Sequence, residues 1–458
     1  MLFEKIESPG LAHYSYLIGD RTHAVVIDPR RDVDVYISLA EKAGCSITHI
    51  FETHRHEDFV LGSVELSSRT GAPIWHADAE LPYAYGAPAR EGQEWPVGRL
   101  KLKALLTPGH TPGGVSYVLF DPDGNPWTVF SGDTLFAGDV GRVDLLGEDR
   151  MPDLAEQLYE SIFYKLLPLG DGVMLCPAHG AGSVCGETIA ERAWTTLGLE
   201  RQYNPMLITG DKAAFVEKAS KMLERPPYFR SMERYNVEGA PAWPLSRQLK
   251  ALTPRDVAAG IEKGGMVLDT RSELAFGSAH VPGALSIWQG GISSFAGWYI
   301  PHGTPLYLVC EDGQSLSSAT LLSRIGLHEI RGYLGPGMLG WHMSGKNSAH
   351  VEMRTVQTLC HMLDHEGKQS VLDVRSVEER EMQGSIPGAL ERPVTALPEK
   401  YQDIPKEGDL YIFCGSGLRS MMAASFLKRK GWDNTVVVLG GISGWNSISC
   451  PLDQPYIM

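Results

Sequence analysis

The chain contains no apolar run of roughly 18 residues, the length that crosses a bilayer, so no membrane-spanning helix is expected. It also has no block of Lys and Arg. With a net charge of −14, a nucleic-acid backbone is not an expected partner. Its first residues, MLFEKIESPGLAHYSYLIG, lack the basic segment and continuous apolar segment of a secretory signal. Cysteine is sparse: the seven at 45, 176, 185, 310, 360, 414 and 450 are odd in number and scattered. This argues against a disulfide framework and predicts reduced thiols and a cytoplasmic location. Apolar residues make up 43% of the 458, enough to fill the cores of roughly two to four domains.

The first part of the chain carries a series of punctuated loops. Leu11 to Ile18 and His23 to Ile27 read as paired strands, with Gly19-Asp20 as the turn between them. Val33 to Ala43 has helical spacing and stops at Gly44. Ile47 to Phe51 then reads as a buried strand that delivers Thr53-His54-Arg55-His56-Glu57-Asp58-Phe59. Alternate side chains in such a strand-end loop converge on one point, and His54, His56 and Asp58 alternate. A short helix is expected over Leu61 to Ser68 and a strand over Pro73 to His76. Further on, His110 stands between two Pro-Gly pairs in Thr107-Pro108-Gly109-His110-Thr111-Pro112-Gly113, a stiff turn that fixes its position. Asp133 follows the strand Thr128 to Phe130 in Ser131-Gly132-Asp133, and His179 ends Leu175-Cys176-Pro177-Ala178-His179-Gly180.

Four strand-end loops with metal-ligand side chains resemble the metallo-β-lactamase superfamily, over about residues 1–240. The resemblance implies an αββα sandwich with metal at the mouth between its sheets. The family's usual HxHxDH motif ends here in Phe59, which offers no lone pair, so a two-zinc site is not expected. The persulfide dioxygenase branch is the nearest in pattern. By that resemblance His54, His110 and Asp133 hold one Fe(II), with zinc the less favoured ion. His56, Asp58 and His179 then surround these ligands as hydrogen-bonding groups. Gly138-Asp139-Val140-Gly141-Arg142 follows the aspartate, and Arg142 is read as holding a loop by ion pairing in preference to binding substrate. Cys185, after a flexible Gly-Ala-Gly, either reaches the cleft as a sulfur-exchanging thiol or packs in the core.

Residues 187–225 alternate helical spacing with charge until Arg225-Pro226-Pro227-Tyr228-Phe229 breaks the pattern. From there to Pro244 an ordered strap or linker is expected, and Pro226 to Asn236 is a candidate cover for the first site. Beyond it the chain repeats. Asp269-Thr270-Arg271, Val281-Pro282-Gly283-Ala284 and Cys310 recur as Asp373-Val374-Arg375, Ile386-Pro387-Gly388-Ala389 and Cys414, with both the Asp-x-Arg pairs and the cysteines 104 residues apart. Each copy alternates short apolar strands with helical stretches, as a small parallel-sheet α/β domain does.

Both copies resemble rhodanese domains, over about 251–348 and 352–456. The second has the sharper loop, Cys414-Gly415-Ser416-Gly417-Leu418-Arg419-Ser420. Backbone N–H groups and the following helix start would stabilise a thiolate or persulfide there, with Arg419 adding charge. The first copy continues Cys310-Glu311-Asp312-Gly313-Gln314-Ser315 without the arginine. Its loop reads as one residue shorter, and its acids disfavour a thiolate. It reads as a degenerate copy that packs between, or positions, its neighbours.

The expected fold is thus a multidomain α/β chain, an αββα sandwich followed by two parallel-sheet domains. The whole arrangement resembles persulfide dioxygenase–sulfurtransferase fusions of bacterial sulfide detoxification. That resemblance implies oxidation of a low-molecular-weight thiol persulfide by O2 to thiol and sulfite. Cys414 would then transfer sulfane sulfur to sulfite, giving thiosulfate. Persulfide, O2 and sulfite are the expected small-molecule partners, with a homo-oligomer as the default assembly. A thioester hydrolase of the glyoxalase II type is the main alternative. A sulfur relay with a merely structural metal domain is the other.

Overall fold

The computed structural model describes residues 1–76, 78, 81–186, 188–208, 210–242, 249–365, 369–448 and 450. The chain divides into two compact units, Met1–Pro244 with Ser323–Gly326, and Leu245–Leu322 with Leu327–Met458.

The first unit contains two six-stranded mixed sheets. One runs in order through β1 (Leu2–Ser8), β2 (His13–Asp20), β3 (His23–Ile27), β4 (Ser46–Phe51), β5 (Ile74–His76) and β6 (Ala87–Pro88). The other comprises β7 (Glu94–Val97), β8 (Leu100–Leu106), β9 (Val115–Phe120), β10 (Pro126–Gly132), β11 (Met174–Pro177) and β12 (Thr195–Thr196). Strand alternation sorts the side chains between layers. Ala24 and Val26 pack under the helices Asp34–Lys42 and Ser63–Thr70, whereas Val25 and Ile27 meet Trp95, Leu102 and Tyr117 between the sheets. A third apolar layer sets Val118, Val129 and Leu175 against the helices Met151–Glu160 and Lys212–Ala219. Helix, sheet, sheet, helix is the expected sandwich. Each fully buried Val, Leu or Ile in it contributes about 1.5–3 kcal/mol.

Local departures from the sequence reading have simple causes. The β2–β3 pairing sets Asp20 opposite His23, so the turn falls on Arg21-Thr22 rather than Gly19-Asp20. Arg21 takes the left-handed conformation there, at φ 56°. Within the strap after Pro226, Phe229–Glu238 forms a helix whose Phe229, Met232 and Asn236 are buried. The last part of the strap, residues 243–244, lies outside the described residues.

The second unit holds two five-stranded, all-parallel sheets with matching strand order. One is Ala251–Leu252, Ile330–Leu334, Leu306–Val309, Met266–Asp269 and Leu285–Ser286. Its duplicate is Glu352–Thr355, Thr435–Leu439, Leu410–Phe413, Ser370–Asp373 and Leu390–Glu391. In both copies the Asp-x-Arg motif is an internal pin. Arg375 donates to Asp373 and to the Gly384 carbonyl, and Arg271 donates to Asp269 and the Ala279 carbonyl. The copies pack on each other, with the Ser286 N–H donating to Ser425 Oγ at 2.9 Å and Tyr299 Oη donating to the Val394 carbonyl at 2.5 Å. The second copy's expected end at 456 lies outside the described residues.

One expectation is corrected here. Cys360 and Cys450 are joined in a disulfide with Cα atoms 6.2 Å apart, so the thiols are not all reduced. They lie 90 residues apart, and only the fold brings them together. The degenerate copy has one residue fewer between its cysteine and the end of the next helix: the cysteines are 104 apart, whereas the helices end at Arg324 and Arg429 and the next strands run Ile330–Leu334 and Thr435–Leu439, 105 apart. Among the described residues, no helix is long and apolar enough to cross a membrane.

Candidate functional site

β4, the β8–β9 turn, β10 and β11 deliver His54, His110, Asp133 and His179 to one buried point of the first unit. Ligand atoms of His54, His110 and Asp133 lie within 4.8 Å of one another. Both imidazoles present Nε2 to Asp133 Oδ2 at 3.5 Å. Their tautomers follow from what holds the other nitrogen. His110 Nδ1 is 2.8 Å from the Arg142 carbonyl, which only accepts, so the proton sits on Nδ1. Thr53 Oγ1 donates to Asp28 Oδ2 at 2.7 Å and so accepts from His54 Nδ1 at 2.9 Å. Two Nε2 lone pairs and a carboxylate oxygen therefore face each other with no proton between them. His54 Nε2 has no hydrogen-bond partner among the described residues. Three mutually repelling acceptors in a dry pocket are a donor set for a cation. Burial and the neighbouring His56 hold His54 below the usual imidazole range, and burial pushes His110 down to about 4, so both are neutral ligands.

The remaining groups form a charged layer behind this set. His179 Nδ1 donates to Asp133 Oδ1 at 2.7 Å and its Nε2 donates to Asp58 Oδ2 at 2.9 Å. Carboxylates only accept, so both ring nitrogens carry protons and His179 is an imidazolium. Burial alone would lower its pKa, but the charges of Asp133 and Asp58 raise it well above the usual value. Burial likewise disfavours ionised Asp133, yet His179 and His54 outweigh it and hold the carboxyl well below its usual range. His56 is not one of the triad, but its ring centroid lies 3.9 Å from that of His54 and its Nε2 is 3.3 Å from Asp28 Oδ1. With Asp58 and His179 it makes a second group whose ligand atoms lie within 4.8 Å of one another. Phe59 is fully buried against the His13 and His56 rings, with centroids 3.9 and 4.6 Å away.

Close packing fixes the backbone around the triad. A Cβ on Gly141 would lie 2.0 Å from the Asp133 carbonyl oxygen, so this loop passes directly behind the ligand only as glycine. Arg142 donates to both Asp144 oxygens and to the carbonyls of Val184, Leu223 and Glu224. All five of its N–H groups are engaged, leaving none for a substrate. Cys185 Sγ does reach the cluster, within 4.8 Å of ligand atoms of Asp133 and His179. Burial, then the charge of Asp58, pushes its thiol up, so it is protonated at neutral pH.

In the second unit Cys414 follows the strand Leu410–Phe413 and is buried, and Gly417 N–H donates to its sulfur at 3.1 Å. The helix Gly441–Ser447 braces the loop. Gly440 N–H donates to the Ser416 carbonyl at 2.8 Å and Ile442 N–H to that of Cys414 at 2.9 Å. Arg419 does not stand free as a cation: it forms a two-pronged ion pair with Glu379 at 2.5 and 2.6 Å. Cys310 is half-buried, and its thiol is raised first by burial, with Asp269 and Glu311 contributing less.

Comparison with known proteins matches this arrangement. The family described as Metallo-beta-lactamase superfamily matches residues 8–179, and that described as Rhodanese-like domain matches 253–344 and 355–448. Persulfide dioxygenase ETHE1, mitochondrial, of Bos taurus is 30% identical over 218 residues, covering 45% of this chain and 76% of its own. The chain belongs to the metallo-beta-lactamase superfamily. Hydroxyacylglutathione hydrolase GloC of Haemophilus influenzae is 27% identical over 214 residues, covering 42% of this chain and 91% of its own. A crystal structure of a metallo-beta-lactamase from Staphylococcus aureus is 31% identical, covers 73% of this chain and 98% of that one, and superposes with TM-score 0.64. The chain is an α/β protein in which a metallo-beta-lactamase-fold domain precedes two rhodanese-like domains.

Three neighbours of the superfamily site escape sequence reasoning. His13, buried on β2, stacks on Phe59, and its Nε2 has no partner among the described residues. A lone histidine in an apolar strand gives no spacing signal. Asp28 accepts from both the backbone N–H and the hydroxyl of Thr53, at 2.7 Å each. Asn236, the last residue of the candidate cover, donates to the carbonyls of His56 and Phe59 at 2.8 Å and accepts from Leu61 N–H at 2.9 Å. The strap helix thereby clamps the loop that carries the first histidines.

Proposed function

We propose that this chain oxidises a low-molecular-weight thiol persulfide with O2 and passes sulfane sulfur to the sulfite formed, with Cys414 as carrier. The oxidation is RSSH + O2 + H2O → RSH + sulfite + two protons. In the transfer, the Cys414 persulfide gives its outer sulfur to sulfite, yielding thiosulfate, and takes another from a second RSSH. One observation carries the reading: two Nε2 lone pairs and one carboxylate oxygen converge, while Phe59, which offers no lone pair, is buried against His13 and His56. These residues fit a single ion bound by His54, His110 and Asp133. Fe(II) in such a set supplies open positions for a soft sulfur anion and O2 together with redox capacity.

The protein's own groups have separate tasks. Thr53 and the Arg142 carbonyl fix the two imidazoles in the ligating tautomer. His179, protonated between Asp133 and Asp58, orients the carboxylate and balances its charge. Phe59 sets an apolar ring against His13 and His56 beside the second His and Asp group, His56, Asp58 and His179. At the other centre Gly417 N–H stabilises the Cys414 anion. The hydrolase reading draws support from the similarity to hydroxyacylglutathione hydrolases. Phe59 stands against its usual two-metal site. Elemental analysis of protein supplied with iron during expression separates the two. About one iron per chain agrees with the proposal, and two zinc ions with thioester turnover contradict it.

A further inference from the structure

The repeat gives the groups around Cys414 counterparts in the degenerate copy, whose loop is one residue shorter. Three of the differences fall on one contact. No arginine stands opposite Arg419, where the degenerate copy has Gln314-Ser315; Glu311 follows its cysteine where Gly415 follows Cys414; and Glu379, from a different helix, corresponds to Ala275. In the intact copy Arg419 Nη1 and Nη2 donate to Glu379 Oε2 and Oε1 at 2.5 and 2.6 Å. A Cβ on residue 415 would meet Arg419 Nη2 at 3.1 Å, so the guanidinium lies beside the backbone of the residue after the cysteine. A side chain there, as in Glu311, would compete with it.

Glu379 is itself held. It closes a capping box with Ser376, whose N–H donates to Oε2 at 3.0 Å and whose Oγ accepts from Glu379 N–H at 3.2 Å. The cap alone does not account for the carboxylate. In the degenerate copy Ser272 caps the equivalent helix through Ala275 N–H at 3.3 Å, with alanine in place of the glutamate. The copy that loses the arginine keeps the capping hydroxyl and loses the carboxylate.

We propose that Glu379 is a positioning residue for sulfur transfer at Cys414, holding the Arg419 guanidinium beside the loop so that its remaining N–H groups meet the anionic sulfur donor. This rests on Cys414 as the sulfur carrier. With thiosulfate as donor, the Cys414 thiolate attacks the outer sulfur, the thiosulfate S–S bond breaks, and sulfite leaves with the electron pair. Cyanide then takes the outer sulfur as thiocyanate, and the pair of the broken S–S bond returns to Cys414. A planar fork held from behind loses little freedom when it binds the donor.

The test is steady-state sulfur transfer from thiosulfate to cyanide by the full chain. Glu379→Ala should raise KM for thiosulfate about tenfold with kcat changed less than about twofold, the pattern of a lost ground-state contact. Arg419→Lys, which keeps the charge but not the fork, should do the same. In an Arg419→Ala background Glu379→Ala should have no further effect. Ser376→Ala, which removes the capping hydroxyl and leaves the carboxylate, should lower thermal stability without moving KM. An unchanged KM in Glu379→Ala, or an effect that adds to that of Arg419→Ala, overturns the inference. Transfer retained in Cys414→Ser overturns the carrier reading itself, whereas its loss beside a neutral Glu379→Ala overturns the positioning role alone.

Discussion

The two centres are built in opposite ways. The one in the first unit draws side chains from four loops spread between residues 54 and 179, and almost every atom around it is buried. The one in the second unit is a single stretch of backbone, residues 414–419, turned around one sulfur and braced by the next helix. A site of converging side chains depends on each one, because each fills a defined place that no neighbour can take. A backbone cradle spreads stabilisation over several N–H groups, and only the atom that carries the sulfur is indispensable. The two sites should therefore fail separately and by different amounts.

The sharpest break between them comes from the ligands. His54→Ala, His110→Ala and Asp133→Ala should each lose the metal and cut persulfide-dependent oxygen uptake by more than about a hundredfold. Thiosulfate-to-cyanide transfer should stay near the parent rate; metal analysis, an oxygen electrode and the transfer assay check this together. Next, removing His179 leaves Asp133 and Asp58 buried without their shared cation. His179→Ala should cost the metal-free first unit about 3–5 kcal/mol in denaturant unfolding.

The second unit offers a structural counterpart. The Cys360–Cys450 bond closes a span of 90 residues, so Cys360→Ser should destabilise that unit by about 4 kcal/mol on the chain-entropy account. Metal content should not change, and calorimetry with and without reductant reads the difference. A smaller effect is expected from Asn236→Ala, which frees the His56–Leu61 backbone but removes no ligand. Metal affinity by chelator competition should fall about tenfold. Cys310→Ser, in the copy whose loop has Glu311 after the cysteine and no arginine, should be neutral for both activities.

The contrast also explains what was legible in the sequence. The Cys414 loop is contiguous, and the residues of the other centre stand at strand ends marked by Gly and Pro, so local pattern gives the candidates for both, while the choice of His54, His110 and Asp133 among them rests on the family resemblance. His13 and Asn236 could not be assigned, since what matters about them is a contact made across as many as 180 residues. The disulfide was missed for the same reason, because seven scattered cysteines carry no record of which pair meets. Glu379 has a local signal only as the partner of Ser376 in a capping box, and its pairing with Arg419 is made by the fold. The β2–β3 turn was misplaced because Arg21 adopts a left-handed conformation that its side chain does not advertise.

Oxygen-dependent persulfide oxidation at one metal, independent of the sulfur carrier, is the central proposal. The most direct measurement is the ratio of oxygen consumed to sulfite formed by iron-loaded Cys414→Ser protein supplied with glutathione persulfide. With the carrier removed, sulfite should accumulate at one per O2 at close to the parent rate of oxygen uptake, with no enzymatic thiosulfate. Loss of oxygen uptake in this variant, or thiosulfate formed at the parent rate, would contradict the account.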